Sequence, residues 1–74
     1  MTTSIENHYS DLLNSIKFLI KHIQQRPLNQ RKTSFRGIET ELNKIINEST
    51  TTDWDRETAN DYLDIVLREL DTIP

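Results

Sequence analysis

Glu57, Asp61 and Asp64 recur at i, i+4 and i+7, with Asp53 one turn before them and Arg68 one turn after. On a helix that spacing gathers the carboxylates on one face. Such a stripe can hold a cation, or imitate a nucleic-acid backbone and so occupy a basic groove on another protein. A metal site normally adds His or carboxylates directed into a bundle. Here Asp64 and Arg68 also form an ordinary i, i+4 pair on a solvated face. The stripe therefore predicts no metal site, and it is the natural source of electrostatic guidance towards a basic partner.

The two histidines offer acid–base chemistry, His8 three residues before Asp11 and His22 beside Lys21. Neither belongs to a set of nucleophile, base and oxyanion donors. The chain has no Cys, which excludes a thiol nucleophile, a disulfide scaffold and a Cys-based zinc site. With one Gly it has no glycine-rich phosphate loop and no dinucleotide fingerprint. The expectation is a protein that is not an enzyme, with no catalytic residue, no cofactor and no small-molecule substrate.

Arg26, Arg31, Lys32 and Arg36 form a basic cluster suited to phosphate contacts. The charge is segregated along the chain. Residues 1–11 carry −2, residues 12–38 carry +6 and residues 39–74 carry −7, for a net −3. Lys21 and Arg26 complement the dipole at the end of a first helix, and Asp53, Asp55 and Glu57 complement the start of a third. Arg31, Lys32 and Arg36 fall at the start of a second helix, the wrong end for cations. Glu69 and Asp71 are misplaced in the opposite sense at the end of the third, and an up-down-up bundle would let the two misplaced groups offset one another. Against nucleic acid stands an acidic chain with a pI near 5.2. Both connections also look too long for the three- or four-residue, Gly-containing turn of a helix-turn-helix. Nucleic-acid association is the second reading.

The elements that must position these groups are helical throughout. In the first segment Ile5, Tyr9, Leu12, Ile16, Leu19 and Ile23 alternate steps of four and three, with Leu13 and Ile20 beside the seam. Thr3 and Glu6 have capping-box spacing, and Pro27 disfavours helix at Arg26. A helix over about 4–25 follows. Residues 27–33 read as a connection. Phe35, Ile38, Leu42 and Ile45, with Ile46 alongside, give a second helix over 34–48 whose first turn Gly37 weakens. Ser49-Thr50-Thr51-Thr52 stops it. Ala59, Leu63, Val66, Leu70 and Ile73, broadened by Tyr62 and Leu67, give a third over 53–72.

These 74 residues hold one core and no more. The fold predicted is all-α, a small antiparallel three-helix up-down-up bundle, completed by homodimerisation if its thin core needs further burial. The longest apolar runs are three residues, and the N-terminus has no signal-peptide pattern, so a cytoplasmic protein without membrane attachment is expected.

Phe18 and Ile65 fall off the seams of their helices, and Trp54 opens the third. Large apolar side chains left over by a small core suit contact with another protein or a second copy. The sequence therefore predicts a small helical interaction module, a regulator, adaptor or phage-style inhibitor. Phe18, Ile65 and Trp54 would supply apolar contact, with Glu57, Asp61 and Asp64 guiding approach. Phe18 and Ile65 are expected to share one patch.

Overall fold

The computed structural model describes residues 9–73. Among the described residues there are three helices: α1 (Ser10–Gln24), α2 (Leu28–Asn47) and α3 (Asp53–Thr72). The capping box at Thr3 and Glu6, the seam residue Ile5 and His8 lie outside the described residues. No strand occurs among the described residues. No helix there is long and apolar enough to cross a membrane.

The topology follows from two short connections and one cross-link. Gln24 Nε2 donates to Glu69 Oε2 at 2.7 Å, placing the C-terminal ends of α1 and α3 side by side. α1 and α3 therefore run in the same sense, with α2 opposed to both. α2 and α3 approach each other closely along much of their length, while α1 approaches either of them over a smaller stretch.

The core takes four residues from α1 (Leu13, Ile16, Ile20, Ile23), four from α2 (Phe35, Ile38, Leu42, Ile45) and two from α3 (Ala59, Val66). Tyr62, Leu63, Leu70 and Ile73 close it from α3 as half-buried neighbours. The seam of α2 matches the sequence pattern in full. That of α1 does not: Leu13 and Ile20 are buried, while Leu12 is 40 % and Leu19 44 % exposed. One position on a helix is a rotation of about 100°, and the neighbours sit on the Leu13–Ile20 side. Leu67, expected to widen the α3 seam, is exposed for the same geometric reason.

The start of α2 is a second correction, since residues 28–33 are helical and no seven-residue connection exists. Only Gln25, Arg26 and Pro27 join α1 to α2. Pro27 stops one helix and starts the next. Its φ of −57° and ψ of 149° make it the residue that caps α2, and its carbonyl accepts from Gln30 N at 2.9 Å. A ring that fixes φ suits the start of a helix, where no internal N–H bond is forfeited. Leu28, Gln30, Arg31 and Lys32 are good helix formers that merely lack an apolar rhythm. Gly37 consequently lies mid-helix rather than in a first turn.

The connection from α2 to α3 is held by two side chains. Thr51, itself buried, donates from Oγ1 to the Ile45 carbonyl at 2.6 Å, closing the end of α2. Arg56 reaches back from the first turns of α3. Its Nε donates to the Ile46 carbonyl at 3.0 Å, and one terminal nitrogen to the carbonyls of Glu48 and Thr51, each at 3.2 Å. The other meets Asp53 Oδ1 at 3.3 Å. Thr52 caps α3 by accepting from Asp55 N at 3.2 Å.

Candidate functional site

α3 carries five of the six residues assigned to partner contact. Trp54, Asp61 and Ile65 stand at i, i+7 and i+11, which places them on one ridge of the helix. Glu57 and Asp64 flank that ridge on the side away from the core. All five are exposed, Trp54 at 78 %. Asp64 Oδ2 lies 3.1 Å from Arg68, an exposed pair that leaves Glu57 and Asp61 without a cation within ion-pair distance among the described residues. The face thus combines a largely exposed aromatic side chain with two carboxylates that have no ion-pair partner among the described residues. Nothing in the core requires Trp54: its neighbour Asp55 turns inward at 3 % exposure, while the indole stays outside. Among the described residues no group of His or carboxylates is arranged to hold a metal ion.

Phe18 does not join this face. It is 68 % exposed on α1, whereas Ile65 lines a groove between α1 and α3 with Lys17, Lys21 and Tyr62. Phe18 stands outside that groove. The single Phe18–Ile65 patch expected from sequence is therefore not formed. Ile65 shares a helix ridge with Trp54 but lines a different groove, and Phe18 lies on the outer face of α1.

The basic cluster is divided in the same way. Arg31 Nε donates to the Arg26 carbonyl at 2.7 Å, and Arg26 reaches Ser34 Oγ at 3.4 Å. Both are half-buried and hold the α1–α2 turn. Lys32 and Arg36 are exposed on α2. The three-residue turn does meet the length of a helix-turn-helix connection, which corrects the reading of that connection as too long. It contains no Gly. Compensation of the cluster by Glu69 and Asp71 is not made through ion pairs. Each ion pair among the described residues is internal to its own helix, Lys44–Glu41 in α2 and Arg56–Asp53 and Arg68–Asp64 in α3. Glu69 is engaged by Gln24 instead.

Sequence reasoning missed the Arg56 clamp and the groove between α1 and α2. The spacing Thr52-x-x-Asp55 was the available signal for the α3 cap. The chain matches no protein-family model, no curated protein and no solved structure.

Proposed function

We propose that the chain is a non-enzymatic helical docking module, which binds a basic surface of another protein through the outer face of α3 and so acts as a regulator, adaptor or inhibitor. The observation that supports this is Trp54, 78 % exposed on the same outer face of α3 as Glu57, Asp61 and Ile65. An aromatic ring offers a large, rigid contact area, and residues of this kind dominate binding energy when a partner pocket desolvates them. Carboxylates around it raise the rate of approach to a cationic surface and discriminate against acidic ones.

The test is co-purification from the native cell with the parent chain, Trp54→Ala and Asp61→Lys. Trp54→Ala is expected to weaken a directly measured complex by about 2 kcal/mol or more, roughly thirtyfold in Kd. Asp61→Lys is expected to slow association chiefly, with a deficit that shrinks as salt is raised. Both positions are exposed, so folding should be unchanged within about 0.5 kcal/mol. If the same partners bind both variants with parental affinity, this face is not the docking surface.

A further inference from the structure

The core leaves a second apolar surface on the side of α1 that faces α2. Leu12 and Leu19, seven residues apart on α1, and Arg26 in the turn that follows it line a groove of about 400 Å³ between α1 and α2. Ser15 and Gly37 narrow nothing at its middle, and the lining is largely apolar. Gly37 has no role in packing the bundle, because a Cβ there would meet nothing within 4 Å. A glycine in mid-helix is nonetheless less favourable than alanine. The bundle itself thus gives no reason for the most permissive residue in the lining of this groove.

Two charged side chains line the groove, and they sit at opposite ends. α1 and α2 are antiparallel, so Glu41 lies towards the Leu12 end and Arg26 at the Ser34 end. A two-fold axis through the middle, near Leu19, exchanges those ends. The groove is therefore complementary to itself, apolar at the centre with a positive end that meets the negative end of a second copy. Glu41 is free to exchange partners, since its intrachain contact with Lys44 is an exposed pair at 3.9 Å.

We propose that a second copy of the chain occupies this groove, α1 against α1 in antiparallel sense, with Leu19 of each at the axis and Arg26 of each facing Glu41 of the other. Symmetric pairing of one patch with itself is the commonest way for a small chain to extend its core. This surface contains no residue of α3, so the inference goes beyond the docking reading and stands or falls independently of it.

Sedimentation equilibrium over a range of concentrations tests the pairing, with folding followed by circular dichroism. The parent is expected to show a monomer–dimer equilibrium, and Leu19→Asp to be monomeric throughout. Arg26→Glu and Glu41→Arg are each expected to weaken self-association about tenfold or more. Mixed in equal amounts, these two variants should associate again, because the mixed dimer restores both opposite-charge contacts. Gly37→Ala should raise the melting temperature of the dilute monomer by about 3–6 °C while weakening the dimer. If Arg26→Glu disturbs the turn that Arg26 helps to hold, Glu41→Arg and Leu19→Asp still decide the matter. A parent that is monomeric at all concentrations overturns the proposal. So does a dimer that Leu19→Asp and Glu41→Arg leave intact.

Discussion

Phe35→Ala is expected to leave much of the protein unfolded at room temperature. Phe35 is fully buried at the start of the α2 seam, with Ile23, Leu42, Ile45 and Val66 the other large side chains as well enclosed. Truncating a buried Phe removes its transfer energy and leaves a cavity the neighbours fill only in part, a loss of about 3–5 kcal/mol. A core in a chain of this length rarely supplies more than about 3–5 kcal/mol of net stability. The two quantities are equal in size, so the substitution should abolish a cooperative urea transition and most of the far-ultraviolet helical signal. Phe18→Ala is the matched control: the same chemical change on the outer face of α1 should move stability by no more than about 0.5 kcal/mol. A Phe35→Ala protein with a parental unfolding midpoint would mean that the helices are not packed around this residue.

The second large effect is expected at Arg56. Its guanidinium bonds three backbone carbonyls at once, that of Ile46 in the last turn of α2 and those of Glu48 and Thr51 in the α2–α3 connection. Arg56→Ala should cost about 2 kcal/mol, because hydrogen bonds to a charged donor are among the stronger ones and the Ile46 and Thr51 bonds are partly sheltered. Arg56→Lys separates fork from charge. An ammonium keeps the charge but lacks the planar array of donors, so it should recover less than half of the loss in a urea titration. Parental stability in the lysine variant would show that the Asp53 contact and net charge matter, and the fork does not.

The α2 seam could be read from the sequence because Phe35, Ile38, Leu42 and Ile45 offer only one apolar face. The α1 helix offers two, Leu12–Leu19 and Leu13–Ile20, one position apart. The choice between them is made by where α2 and α3 lie, which periodicity does not contain. The early start of α2 was hidden by composition: residues 29–33 are polar, and Pro27 signals an end as readily as a beginning. The Arg56 clamp was illegible for another reason, since its acceptors are main-chain carbonyls and every residue type has one. At the candidate site, the acidic stripe and Trp54 were visible in the spacing. That Ile65 shares their ridge follows from the same spacing, whereas the separation of Phe18 from it depends on the relative rotation of α1 and α3, which appears only once the bundle is assembled.

The uneven grip of the three helices on one another has a consequence for how the protein breathes. α2 and α3 hold each other closely and share the Thr51 and Arg56 fastenings, whereas α1 is joined by a three-residue turn and a smaller area of approach. Proteins open in cooperative units ranked by such differences. α1 should therefore swing away as one piece while the α2–α3 hairpin persists, and its backbone amides should exchange with deuterium ahead of those of Leu42, Ile45 and Val66. In that opened state the buried stripe of α1 and the inner face of the hairpin stand bare together, two halves of one core, each able to accept its counterpart from a neighbouring molecule.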